Sequence, residues 1–477
     1  LAVPLLTYYF WQRISKREVH VPEESEINLP PQVGFDTLKD FMAAMSSPDA
    51  PDAILQISRE NKVSIFRSPK LPFRKNPLVF LTDYQSARKV LEDPKSRKPA
   101  QPGQFFIDTT SGMNMLFARG QRWRHVRKAT SAAFSSNNVK FMVEAISSVT
   151  DKWIKDILEP SAKTGEGIDI LKEVAKITTS VIAEAAFDYE LSDAEHNQFR
   201  SDLSTCLFEF GVVCNSSVWR KFEPTRRLFP GYYRGKRASR RLLSQCEKML
   251  QAYRAKPMKQ PHKVIHMIDA DPEYENDIER IRDLLVYTIA GHDTSSNAIA
   301  FALYELAKNS NEQTKLRNIL QKCASDDEAY RCPELKYVMR ETLRLRPPVA
   351  IGIARVCGQE FVFERKYNGK PVQITIPRGF PCLTSFYAIQ RDENVFANPD
   401  TFDPSRWASP SEEMNKALLP FAIGPRNCQG QALANAEISV VLSKLCRKYE
   451  FGIIEEGRAA TIVFYKPVGT ILSVKAV

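Results

Sequence analysis

The run Phe421-Ala422-Ile423-Gly424-Pro425-Arg426-Asn427-Cys428-Gln429-Gly430 constrains this 477-residue chain more than any other segment. Helical periodicity from about 429 to 447 follows it, so Cys428 stands just before a helix. There the positive dipole end and free backbone N–H groups favour a thiolate. Gly424 and Gly430 let backbone approach the sulfur, and a cofactor against it, closely. If a haem lies above the loop, the thiolate would donate electron density to iron and promote O–O cleavage. Phe421 would then shield the sulfur from water, and Arg426 would pair with a haem propionate. A lone cysteine is far more often a buried structural thiol. The whole pattern of fixed neighbours, rather than the cysteine, argues for the ligand.

Composition sets the frame. A hydrophobic fraction of 43% and a charged fraction of 26% fit a globular protein with a large core. The nine cysteines (Cys206, Cys214, Cys246, Cys323, Cys332, Cys357, Cys382, Cys428 and Cys446) are odd in number, scattered and without CxxC. That argues against a disulfide framework or zinc site and fits a reducing compartment. The six histidines form no ligand cluster, and His262 and His266 lack the HExxH glutamate. A net charge of +11 suits nucleic acid, an anionic membrane or an acidic protein. No nucleic-acid module accompanies it, and most of these charges read as solvated helix faces.

The chain opens on an apolar, aromatic run, Leu1 to Trp11, followed by Arg13, Lys16 and Arg17. The run falls short of the roughly 20 residues that cross a bilayer. It reads as the cytoplasmic end of a membrane helix, with an apolar arm as the alternative. Leu29-Pro30-Pro31-Gln32-Val33-Gly34 makes a rigid turn, so residues 1–28 are expected to be a truncated anchor or arm and 29–477 a single domain. Residues from about 60 to 83 read as a small sheet, and helical spacing dominates from about 84 to 345. A long apolar helix covers roughly 281 to 308. Short β-like runs at 360–363 and 372–376, an irregular stretch, the 429–447 helix and terminal strands complete the chain. The fold class is mainly α with a smaller β portion, α+β.

The cysteine run resembles the cysteine loop of the cytochrome P-450 family, and other segments from about Leu29 to the C-terminus resemble family motifs in the family's order. Glu341-Thr342-Leu343-Arg344 is similar to its Glu-x-x-Arg helix pair, whose members share one helical face. Phe402-Asp403-Pro404-Ser405-Arg406-Trp407 resembles the segment whose arginine, here Arg406, completes a buried structural network with Glu341 and Arg344. Ala290-Gly291-His292-Asp293-Thr294-Ser295 resembles the segment over the iron, which implies that Asp293 and Thr294 are an acid–alcohol pair relaying protons. A kink with Thr294 back-bonded to its own turn is the structural alternative, and His292 is assigned to packing or solvent. Trp123 and Arg127 fit the family's Trp-x-x-x-Arg helix, and Arg355 matches a further propionate-binding arginine. One departure is Gln390, where many members carry His.

The resemblance implies the cytochrome P-450 fold, with haem b between a long distal helix and the proximal cysteine-loop helix and Cys428 as axial ligand. It implies a monooxygenase that inserts one atom of O₂ into an apolar small molecule, such as a fatty acid, sterol or terpenoid. Electrons would come from NADPH-cytochrome P-450 reductase, with a ferredoxin as alternative, steered to the basic residues at 122–128. No nucleic acid is expected. The implied location is the endoplasmic reticulum membrane, with the catalytic domain on the cytoplasmic side. Isomerases or dehydratases of hydroperoxides and non-catalytic haem sensors are the alternatives, and the Asp293-Thr294 pair argues against both. Pocket candidates are Phe105, Phe106, Met113, Met115, Leu116 and Phe117, with Val349 to Ile353 and Phe464.

Overall fold

Helical spacing in the middle of the sequence becomes long helices around one extensive apolar core, and the two β regions, far apart in sequence, pair with each other. The computed structural model describes residues 28–34, 37–70, 75–99, 104–213, 223–257, 259, 261–367, 370–461 and 463–477. The expected anchor, Asn28 apart, lies outside the described residues.

The helices that position the site are α1 (Gln104–Thr109), α2 (Gly120–Ser131), α3 (Ser136–Trp153), α4 (Ile170–Val181), α5 (Asp193–Cys206), α6 (Pro230–Ala255), α7 (Asp277–Lys308), α8 (Pro333–Leu345) and α9 (Gln431–Lys448). Local chemistry explains their starts. The Ser135 side chain accepts the Asn138 N–H at the head of α3, and Ser192 with Glu195 forms a capping box on α5. Helix α7 begins about a turn before the expected 281, because Asn276 caps it and Asp277 and Glu279 suit its positive end. From Ser295 to Leu306 every residue of α7 is buried, the state of an apolar helix running through a core. A β-carbon on Gly291 would lie 3.0 Å from Ile182 Cδ1, so this glycine lets α7 approach the π-helical turn Ile182–Ala186 that extends α4.

The strands are β1 (Ile65–Arg67), β2 (Val79–Leu81), β3 (Ile168–Asp169), β4 (Ile353–Val356), β5 (Phe361–Tyr367), β6 (Lys370–Ile376), β7 (Pro381–Thr384), β8 (Tyr449–Glu455), β9 (Arg458–Thr461), β10 (Tyr465–Val468) and β11 (Ile471–Ala476). One sheet runs in the order β1-β2-β7-β4, with β2 and β7 parallel. β5 and β6 form a hairpin, β9 pairs β10, and β11 lies between β3 and β8.

Helix α8 is joined to the irregular stretch through one carboxylate. Glu341 is fully buried and accepts Arg344 Nε at 2.9 Å and Nη2 at 2.8 Å, Arg406 Nε at 3.0 Å, Trp407 Nε1 at 2.9 Å and the Asp403 N–H at 2.9 Å. Arg344 spends its other donors on the carbonyls of Gln390, Pro399 and Thr401. Gln390, the departure from histidine, donates Nε2 to the Leu343 and Arg344 carbonyls, both at 2.9 Å, and accepts the Leu419 N–H at 2.8 Å. A neutral amide suits this place because one side must donate while the other accepts.

Glu341→Gln leaves two arginines without their carboxylate, and should lower the unfolding free energy by about 3–5 kcal/mol in urea titrations. Trp407→Phe removes one hydrogen bond and should cost about 1–3 kcal/mol. Losses below about 0.5 kcal/mol in both would show that the network does not hold the fold.

Candidate active site

The cysteine loop folds back on itself before α9. The Cys428 N–H donates to Phe421 O at 2.9 Å, and the Asn427 N–H to Gly424 O at 3.1 Å. Ala422 (φ 55°) and Gly424 (φ 76°) occupy the left-handed region. For alanine that conformation costs about 1–2 kcal/mol and persists only where the surroundings impose it. Gly424 departs from expectation. A β-carbon there would stand 2.2 Å from Leu91 O, so the glycine serves its positive φ and contact with the end of the helix Tyr84–Glu92, not approach to the sulfur. At Gly430 a β-carbon would meet only Phe134 Cε1, at 4.0 Å. Phe421 is half-buried and packs on the main core.

Helix α2 lies along this loop and grips it on both sides of Cys428. Trp123, Arg127 and Thr130, four and three residues apart, share one helical face. The Arg426 guanidinium lies 3.7 Å from the Trp123 ring centroid. Arg127 donates Nη1 to Asn427 O at 2.7 Å and Nη2 to Asn427 Oδ1. Gln429 Nε2 donates to Thr130 Oγ1 at 2.8 Å.

Cys428 is exposed, whereas the other seven described cysteines are buried. The sulfur can be reached, yet protein surrounds it closely enough that loss of solvation pushes its thiol above the usual value of 9.0. The Gly430 N–H and the Arg127 charge pull the other way and are outweighed. Backbone donors thus favour the thiolate, as expected from the sequence, but do not offset burial. A metal cation against the sulfur would supply the missing positive charge.

Four cations gather nearby. Arg355, on β4, is 2% exposed; its Nη1 bonds Ala354 O at 3.0 Å, and its Nη2 has no partner among the described residues. Arg426 Nη2 donates to Ala118 O at 2.7 Å, and Lys98 Nζ to Leu116 O at 2.8 Å. Burial, then the charges of Arg355, Arg426 and Arg127, push Lys98 down to about 7. Burial lowers Arg355 to about 10; burial with Arg355 and Arg127 does the same to Arg426. Arg127 is lowered by burial. No carboxylate relieves this repulsion among the described residues. Such a cluster is built to receive an anion with more than one carboxylate. Lys98 escaped the sequence reading because Lys95-Ser96-Arg97-Lys98 looks like any solvated basic run.

On α7, Thr294 Oγ1 donates to Ala290 O at 2.7 Å, the back-bonded arrangement, while the helix runs on unbroken. Asp293 is 8% exposed and its Oδ2 has no partner among the described residues. His292 packs, as expected: its Nδ1 is 2.8 Å from Thr179 Oγ1 and its ring meets Phe199 edge-on. Two residues went unnoticed in the sequence. Asn297, one turn beyond Asp293, has neither amide atom satisfied among the described residues, and Glu437 of α9 has Oε1 in the same state. Burial pushes the Glu437 carboxyl up to about 8 against a hydrogen bond with Ser295. Groups enclosed in this way call for partners such as bound water.

Of the pocket candidates, Phe464 is buried and Val349 and Ile351 are half-buried. Phe117 lies beneath Lys98, with Nζ 5.2 Å from its ring centroid. Met113 is 58% exposed and Met115 9%. Phe105 and Phe106 belong to α1, and their side chains lie outside the described part.

Residues 53–470 match the family model for cytochrome P450. The chain belongs to the cytochrome P450 family. It is similar to probable cytochrome P450 6a21 of Drosophila melanogaster, 28% identical over 80% of this chain and 79% of that protein. Cytochrome P450 4F11 of Homo sapiens is 26% identical over 71% of this chain and 68% of its own length. Cytochrome P450 4A24 of Sus scrofa is 25% identical over 78% and 76%. The chain is thus a haem-thiolate monooxygenase that binds haem b through a cysteine thiolate, takes electrons from a redox partner and acts on a small molecule. Among the described residues no helix is long and apolar enough to cross a membrane.

Glu437 yields a pH prediction. Its folded pKa of about 8 lies above the ordinary 4.5. Its contribution to stability is therefore fully present below about 4.5 and lost as pH rises through about 8. Glu437→Gln should remove that part of the decline in unfolding free energy. Parallel pH profiles for the two proteins would mean that the carboxyl titrates normally.

Proposed function

We propose that Cys428 is the axial ligand to haem b, that Arg127, Arg355, Arg426 and Lys98 receive its propionates, and that an apolar organic molecule is the substrate. The observation that carries this reading is the cluster of four cations beside an accessible thiol, with an unpartnered Arg355 Nη2 buried within it. The two carboxylates of haem b would supply the negative charge that this cluster lacks. Bound there, the haem would supply the activation of O₂ and its transfer to substrate.

The protein's own groups do the rest. Trp123, facing Arg426 at 3.7 Å, holds that guanidinium by cation–π attraction. With haem bound, Phe421 would keep water from the sulfur. Thr294 holds a hydroxyl proton that it now donates to Ala290 O, and Asp293 Oδ2 is a buried acceptor on the next residue. Together they would pass protons toward the reacting oxygen, drawn from water held by Asn297 and Glu437. Phe117, Val349, Ile351 and Phe464, with Phe105, Phe106 and Met113, would line an apolar pocket suited to a fatty acid, sterol or terpenoid. Arg124 and Lys128 are exposed on α2, while Arg122 is engaged by Glu279 at 2.9 Å. These two exposed cations support docking of an acidic donor, for which we assign NADPH-cytochrome P-450 reductase. Residues 29–477 would form the single catalytic domain, facing the cytoplasm, with 1–28 as an anchor in the endoplasmic reticulum membrane or an arm.

The deciding experiment is the difference spectrum of the reduced protein with carbon monoxide. A strongly red-shifted Soret band, lost in Cys428→Ser, supports the assignment; a band typical of histidine-ligated haem, unchanged in that variant, refutes it. Thr294→Ala should keep haem but divert consumed oxygen to peroxide or superoxide, with product yield per NADPH falling on the order of tenfold. Fully coupled turnover would remove Thr294 from the relay.

A further inference from the structure

Helix α7 grips the turn that follows α1 with two adjacent residues of opposite charge. Arg282 Nη2 donates to Ser111 O at 2.9 Å, and Asp283 Oδ1 accepts the Met115 N–H at 2.6 Å. A carbonyl meets a donor and an N–H meets an acceptor, so the turn has one register on α7. Gly112 makes the approach possible: a β-carbon there would stand 2.5 Å from Arg282 Cζ. Ser111 takes φ 53°, in the left-handed region, which persists only where the surroundings impose it. Asp283 is itself held. It is 2% exposed, and its Oδ2 accepts the Tyr274 hydroxyl at 2.8 Å. The Tyr274 ring in turn meets the guanidinium groups of Arg122 and Arg280, 4.6 and 5.4 Å from its centroid. Burial pushes the Asp283 carboxyl up to about 6, so at neutral pH it is charged and its hydrogen bonds are of the stronger kind.

The grip fixes the stretch that comes next. Asn114 Oδ1 accepts the Leu116 N–H at 3.1 Å, and Asn114 O accepts those of Phe117 and Ala118 at 3.1 and 2.8 Å. The carbonyls of Leu116 and Ala118 take Lys98 and Arg426, two members of the cation cluster. This stretch is therefore tied to α7 at one end and to the propionate-binding cations at the other. Helix α7 also carries Asp293 and Thr294, and at 1.5 Å per residue Asp293 lies about 15 Å along it from Asp283. A pocket wall referenced to the helix that bears the reacting groups decides how a bound molecule lies against them.

We propose that Arg282 and Asp283 are positioning residues that set substrate selectivity, by fixing the segment from Met113 to Phe117 on the helix that carries Asp293 and Thr294. The proposal rests on that segment lining the pocket beside a haem held by Cys428.

The test titrates the ferric holoenzyme with imidazole and with 4-phenylimidazole, followed by the Soret shift, and reads amide hydrogen exchange over residues 110–118. In Asp283→Ala the affinity for 4-phenylimidazole should fall about tenfold relative to that for imidazole, because the wall must then be ordered on binding. Exchange over 110–118 should quicken about tenfold. Asp283→Asn keeps an acceptor for the Met115 N–H and should bring both readouts back to within about twofold. Arg282→Met should move them in the same direction by less. Trp407→Phe, which weakens the fold elsewhere, should lower stability and leave the affinity ratio unchanged. An unchanged ratio in Asp283→Ala, or an Asn variant no better than Ala, overturns the proposal. If Asp283→Ala fails to fold, ratio and exchange both unmoved in Arg282→Met overturn it equally. Absence of the red-shifted carbon monoxide band from the unmodified protein would instead sink the assignment of Cys428. With that band present, 4-phenylimidazole bound no more tightly than imidazole would sink the apolar pocket.

Discussion

A single carboxylate with no contact with solvent, Glu341, carries much of the organisation of the C-terminal third. A buried charge costs several kcal/mol unless every lone pair is met. Here five donors from Arg344, Asp403, Arg406 and Trp407 meet them. Those donors come from helix α8 and from an irregular stretch some sixty residues on. The carboxylate is satisfied only when that stretch lies in one register. Gln390 extends the arrangement: it bonds the last turn of α8 on one side and the Leu419 N–H, just before the cysteine loop, on the other. The position of Cys428 is thus inherited from a network that contains no catalytic group.

The loop then meets α2, whose Trp123, Arg127 and Thr130 engage Arg426, Asn427 and Gln429 in turn. Two electrostatic imbalances are held in this frame. Lys98, Arg127, Arg355 and Arg426 repel one another in poorly solvated surroundings, and burial holds the Cys428 thiol back from ionising. Opposite charges answer them: carboxylates for the first, a metal cation for the second. One molecule carrying an iron and two carboxylates answers both, which is why site and cofactor make physical sense as a pair.

Much of this was legible in the sequence because the relevant signals are local. The segment around Cys428, the i,i+3 pair Glu341/Arg344 and the spacing of Trp123 and Arg127 each lie within one turn or loop. Helix α7 was readable from its apolar length, although the cap at Asn276 starts it about a turn before the expected 281. Other features had no local signature. Lys98 sits in an ordinary basic run, and only the fold brings it to Arg355 and Arg426, more than two hundred residues away. Gly424 was assigned to the sulfur, whereas the backbone it clears is that of Leu91, from a distant helix. Asn297 and Glu437 read as unremarkable polar positions until burial removed their solvent.

The sequence by itself determined which chemistry is present: one cysteine ahead of a helix, and an acid and an alcohol within an apolar helix, with the propionate-binding arginines implied by the family resemblance. Sequence spacing can do this because side-chain reactivity and helical periodicity are properties of a few adjacent residues. Only the tertiary structure decided the energetic state of those groups. Whether a thiol ionises and whether a lysine stays charged depend on burial and on partners from other elements. Desolvation and Coulomb interaction act through space, and the order of residues along the chain does not encode those distances.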